Sequence, residues 1–120
     1  MQMLKPLFLF FLVFITSCTT KEVQIRVRNT SAYTYDSVLV NTSGGTNTYG
    51  TITPNTVSDY KIYDFAYSYA YTSLYIDTIN YRHIPIDYVG EHKLPGGKYT
   101  YEVSVNNAAT HQLLLNLVED

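Results

Sequence analysis

The chain has 120 residues with a formal net charge of −2, 15% charged residues, 13 tyrosines, no tryptophan and a single cysteine. A mildly acidic chain of this kind has no electrostatic case for binding nucleic acid, and one cysteine excludes an internal disulfide.

The chain opens with "MQMLKPLFLFFLVFITSCTT". One positive charge, Lys5, precedes an apolar run from Leu7 to Ile15, and small residues follow. This is the order of an export leader. The run is about half of the roughly 20 apolar residues that a membrane-spanning helix needs. Ile15-Thr16-Ser17-Cys18 resembles the lipobox of bacterial lipoproteins: an aliphatic residue, two small residues, then cysteine. The resemblance covers residues 1–18. It implies a diacylglycerol on the Cys18 thiol, cleavage before Cys18, and an acylated new N-terminus. Several acyl chains together hold a protein stably at a membrane. By the same resemblance, Thr19 rather than Asp after the cysteine implies sorting to the outer membrane. The implied organisation is a signal peptide over 1–17, a lipidated tether over 18–21 and a single β-sandwich domain over 22–120.

Strand periodicity begins at once. Val23, Ile25 and Val27 alternate with Gln24, Arg26 and Arg28, as in a half-buried strand. Asp36 to Thr42 predicts a second strand carrying Val38 and Val40. Gly44-Gly45 and Asn47 mark a loop, and Tyr49 to Thr53 predicts a short third strand. Pro54-Asn55 turns the chain into a strand from Val57 to Tyr63.

The segment "KIYDFAYSYAYTSLYI", Lys61 to Ile76, places Tyr63, Phe65, Tyr67, Tyr69, Tyr71 and Tyr75 at odd positions. The even side, with Asp64, Ala66, Ser68, Ala70 and Thr72, offers little apolar area. The aromatic side offers on the order of 150–250 Å² per ring, which predicts that it faces the core. The run exceeds the usual strand length of about 3–10 residues, so a bend near Asp64 to Ala66 is expected to divide it. The small residues Ala66, Ser68 and Ala70 then leave room for a neighbouring layer or loop. A second reading stays open, in which Tyr67, Tyr69, Tyr71 and Tyr75 form an exposed surface for a ligand.

Asp77 to Asn80 predicts a tight turn into a strand from Tyr81 to Ile86, an edge or an early end because of Pro85. A loop over Asp87 to Gly97 follows. Lys98 to Val105 predicts a strand with Tyr99, Tyr101, Val103 and Val105 inward and Lys98, Thr100, Glu102 and Ser104 solvated. His111 to Val118 predicts the last strand, hinged at Asn106-Asn107. No window predicts a helix of three turns. Seven to eight short strands predict an all-β fold, and "LPGGKYTYEVSV" resembles the strand entry of immunoglobulin-like and transthyretin-like β-sandwich domains.

For chemistry, Asp87, Glu91 and His92 are candidate metal ligands on one loop, although the same residues also read as a solvated loop. His83 and His111 stand singly and read as surface or packing residues. No nucleophile elbow, phosphate loop or paired-carboxylate context occurs, so no enzyme and no cofactor is expected. Asp36-Ser37-Val38 and Asp77-Thr78-Ile79 resemble the Asp-Ser/Thr-aliphatic tripeptide that is O-glycosylated on exported proteins of some bacterial lineages, which implies modification at Ser37 and Thr78. The expected role is a membrane-anchored envelope module that docks a protein partner, through a strand edge for example. The alternative is a glycan-binding module that uses tyrosines of the 63–75 stretch.

Overall fold

A computed structural model describes residues 22–86 and 91–120. These residues form strands and turns only: β1 (Val23–Asn29), β2 (Asp36–Asn41), β3 (Thr46–Tyr49), β4 (Lys61–Tyr63), β5 (Tyr71–Ile76), β6 (Ile79–His83), β7 (Gly97–Asn107) and β8 (Gln112–Glu119). The expected all-β class holds.

The eight strands hydrogen-bond in the order β3-β2-β5-β6-β8-β7-β1-β4. All neighbours are antiparallel except β1 with β7 and β6 with β8. The β6–β8 contact is a single residue pair, Arg82 with Gln112. Two four-stranded halves therefore hinge at that pair, and the sheet curls until they face one another. Tyrosine hydroxyls tie the halves across the interior. Tyr49 donates to the Ile25 carbonyl (2.8 Å) and Tyr35 to the Val103 carbonyl (2.7 Å), while Tyr101 donates to the Tyr67 carbonyl (2.7 Å) in the segment between β4 and β5.

The core is what alternation dictates for strands with one wet face. Val23, Ile25 and Val27 of β1, Val38 and Val40 of β2, and Tyr99, Tyr101 and Val103 of β7 are all buried. Among the described residues no buried side-chain nitrogen or oxygen lacks a partner. Asn29 illustrates how. Its amide donates to the Tyr33 and Ile52 carbonyls (2.6 and 2.9 Å), and its oxygen accepts from the Ser31 N–H and hydroxyl (both 2.8 Å).

Three strands are displaced from their expected places. Tyr49 ends β3 rather than starting it, because its pairing with Val38 turns its ring inward. Past it, only Ile52 bridges back, to Tyr35. The stretch from Val57 keeps one isolated bridge, Arg28 with Val57, and the ladder starts only at Lys61. Asp77 and Thr78 both take left-handed backbone (φ 52 and 69). They close a two-residue hairpin whose twist matches the strands, so β6 starts at Ile79 and ends before Pro85. Thr100 corrects the expected solvated face of β7. It is buried, because the Asp120 carboxylate accepts its hydroxyl (2.7 Å) and Arg26 Nε donates to its oxygen (3.0 Å).

The tyrosine-rich segment does divide. β4 and β5 take its ends, and 64–70 connects them. Across that break the phase reverses. Tyr63 is buried, but in β5 the buried residues are Thr72, Leu74 and Ile76. The expectation that the aromatic side faces the core thus holds at Tyr63 and fails beyond it, where Phe65, Tyr67, Tyr69 and Tyr71 are half-buried and Tyr75 is exposed. The seven-residue connection is an irregular path, so residue parity does not carry over from one strand to the next. Ala66 and Ala70 are fully buried, and the Leu94 N–H of a neighbouring loop reaches the Ala66 carbonyl (2.9 Å).

Candidate functional site

The four tyrosines singled out as ligand contacts do not form one surface. Tyr71 and Tyr75 lie on the outer face of β5, and Tyr75 is 43% exposed. Tyr67 is half-buried in the connection, its ring edge-on to Phe65 at 5.9 Å. Tyr69, also half-buried, packs edge-on against His83 at 6.3 Å.

The edges of the sheet differ in kind. β3 and β4, the terminal strands, cover each other. The Tyr49 and Tyr63 hydroxyls lie 2.9 Å apart, the Asn47 amide donates to the Ile62 carbonyl (3.0 Å), and the Asp64 N–H donates to the Gly44 carbonyl (2.9 Å). Gly44 is what lets this happen, because a Cβ there would lie 2.2 Å from the Phe65 carbonyl oxygen. Both edges are short and blocked.

β8 is different. It pairs with β7 along its length, but on its other side it meets a strand only at Gln112. The Asp120 N–H bonds to the Lys98 carbonyl (3.0 Å). That bond makes even-numbered residues of β8 the hydrogen-bonded ones of this ladder. Leu115, Leu117 and Glu119 therefore point their N–H and C=O groups away from β7, to a side with no strand partner among the described residues. Natural edges are usually blunted by proline, lysine or a bulge. Here the free stretch reads Leu114-Leu115-Asn116-Leu117-Val118-Glu119 and holds neither proline nor lysine.

Where β6 meets β8, a cleft of about 390 Å³ opens, lined by Arg82, His83, Asn106, His111, Gln112 and Leu114 among others. Arg82 N–H donates to the His111 carbonyl (3.1 Å). The His111 ring stands edge-on to Tyr81 at 5.0 Å, and its left-handed backbone (φ 57) begins the strand. A second, apolar slot of about 300 Å³ adjoins it, formed by Tyr69, His83, Ile84, Pro85 and Ile86. The cleft unites residues of two hairpins, and no local spacing announces it. His83 and His111 look solitary in the sequence because 28 positions separate them.

Burial pushes the Tyr35, Tyr49 and Tyr63 phenols above their ordinary range. On the outer face of β1 and β7, Asp120 titrates below the usual carboxylate range. Burial alone would raise it, but hydrogen bonds from Thr100 and Tyr60 and the charges of Arg26 and Lys98 outweigh that.

Of the remaining candidates, Glu91 and His92 are exposed, while Asp87 lies outside the described residues. No group of three metal-ligating side chains occurs among the described residues. Ser37 and Thr78 are both exposed, and both take left-handed backbone (φ 51 and 69). Cys18 and the leader also fall outside the described residues.

No family model and no curated protein matches the chain. Among solved structures it is similar to a protein from Eubacterium rectale. That likeness has a TM-score of 0.57 at 16% identity and covers 80% of this chain and 89% of the other. It is a likeness of fold.

Proposed function

We propose that this protein is a non-enzymatic binding module of the bacterial envelope, lipid-anchored through Cys18 in the outer membrane, with residues 22–120 as its single domain. Its partner is an envelope protein that adds an extended segment to the free edge of β8. The observation that carries this reading is the contrast between edges. β3 and β4 block each other, whereas on β8 Leu115, Leu117 and Glu119 offer their backbone groups on a side with no strand partner among the described residues, in a stretch with neither proline nor lysine. Strand addition uses such an edge for affinity and side-chain pockets for specificity. The cleft brings together one guanidinium, two imidazoles and two amides rather than paired carboxylates, which supports binding over hydrolysis.

For the fold we propose the transthyretin-like sandwich over the immunoglobulin-like one. The immunoglobulin constant-type order sets β1 beside β2 in sheets of four and three strands. Here β1 lies between β4 and β7, and the halves have four strands each.

The first test is amide hydrogen exchange. An open edge makes Leu115 and Leu117 exchange fast beside slow Leu114, Asn116 and Val118. Uniform protection along β8 sinks the edge reading. Replacing Cys18 with Ala should abolish acyl mass and membrane partitioning together; a wild type without acyl mass overturns the anchor.

A second reading, glycan binding, is favoured by one observation. Tyr71 and Tyr75 share the outer face of β5 with Ser73 between them and Asn80 beside them, the Asn80 amide donating to the Ser73 hydroxyl (2.8 Å). Polysaccharide retention that is lost on replacing both tyrosines with Ala selects this reading.

A further inference from the structure

The free edge of β8 is open at one end and closed at the other. β6 occupies it at Gln112, where Arg82 takes the position an added strand would need. A segment laid along β8 must therefore stop at this point, and the end that stops there depends on its direction. An antiparallel segment arrives with its C-terminus, a parallel one with its N-terminus.

The charge at the dead end decides between them. Arg82 stands there with the His83 and His111 imidazoles and the Asn106 and Gln112 amides, and the cleft lining holds no carboxylate. Among the described residues no ion pair engages the exposed Arg82 guanidinium. An N-terminal ammonium would be repelled. A carboxylate would find a planar donor that bonds it in two places.

The adjoining slot adds a size and a polarity. Tyr69, Ile84, Pro85 and Ile86 form its walls, with Ile84 62% and Ile86 96% exposed, and it opens from the same His83 and Ile84 that border the cleft. We propose that the partner is the free C-terminus of a polypeptide, running antiparallel to β8, with its terminal carboxylate held by Arg82 and the flanking imidazoles and amides and an apolar side chain of its last residues in the Tyr69–Ile86 slot. This rests on the strand-addition reading and adds the direction, the terminus and the side-chain preference.

The test uses acetyl-Lys-Thr-Val-Thr-Val with a free C-terminal carboxylate and the same peptide amidated, followed by amide shifts of the intact chain. The free acid should perturb Leu115, Leu117 and Arg82 and bind at least about tenfold more tightly than the amide, as loss of a charge-assisted hydrogen bond implies. Arg82→Gln should remove that difference, and unchanged amide shifts of β1 and of Tyr99 to Val103 in β7, away from the cleft, show that the variant is folded. If both peptides perturb Leu115 and Leu117 equally, terminal capture is overturned and strand addition stands. If neither reaches Leu115 or Leu117, strand addition falls and the capture falls with it, even where N-acetylvaline alone shifts Arg82.

Discussion

The hydroxyls of Tyr49 on β3 and Tyr63 on β4 lie 2.9 Å apart in the interior, and they join the two ends of one eight-stranded sheet. Tyr49 gives its only proton to the Ile25 carbonyl at 2.8 Å. Tyr63 must therefore be the donor to Tyr49, so the two residues are not equivalent.

That asymmetry sets the first prediction. Tyr49→Phe removes the acceptor of Tyr63 and a donor to Ile25, and it should cost about 1–3 kcal/mol, the penalty of leaving a buried polar group unpaired. Tyr63→Phe leaves the Tyr49 proton satisfied and should cost about 0.5–1.5 kcal/mol, the net worth of one hydrogen bond. Urea denaturation of both variants checks the order. Equal losses would show that the proton assignment is mistaken.

Gly44→Ala should be destabilising by about 1–3 kcal/mol, as overpacking usually is. The new Cβ meets backbone atoms of Phe65 at 2.2 and 2.6 Å, and the backbone has no rotamer to yield. Gly50→Ala meets nothing within 4 Å and should be close to neutral. Thermal midpoints of the pair separate close approach from a general intolerance of the loops to change.

At alkaline pH the buried phenols govern stability. Burial raises the Tyr35, Tyr49 and Tyr63 values above the ordinary 10.0. A raised value means that stability is fully present below pH 10 and is lost as pH rises toward the folded-state values. Unfolding by circular dichroism should therefore coincide with part of the tyrosinate absorbance above pH 10. Complete ionisation of all tyrosines in a still-folded chain would contradict the burial of these three rings.

On the acid side the sign reverses. The Asp120 value is depressed below 3.8, so its contribution is present above that pH and fades as pH falls through the folded value. The carboxylate is partly exposed, so screening limits its contribution to the range of surface pairs, about 0.2–1 kcal/mol. Asp120→Asn should lose about that much at pH 7, and the loss should shrink as the pH falls below 3.8. A constant loss across this range would assign the effect to packing against Thr100 instead of charge.

Residues of β1 and β7 were readable from the sequence because each is a regular strand with one wet face. Val23, Ile25 and Val27, and Tyr99, Tyr101 and Val103, fall inward by parity alone. The divide in the tyrosine segment was also readable, since about sixteen residues exceed one strand. The switch of phase across it was not. Parity fails wherever the chain leaves extended geometry, and 64–70 does so to carry the chain from β4 at one end of the sheet to β5 within it.

The candidate site lies further still from local signals. Arg82, His83 and His111 gain meaning only because β6 touches β8 at one pair and then leaves the rest of that edge without a strand among the described residues. Local alternation and turn chemistry determine strands, because side-chain burial and backbone φ act between near neighbours. Which edges are covered depends on pairings between strands far apart in the sequence, and those are decided when the two halves pack on a shared core of tyrosines.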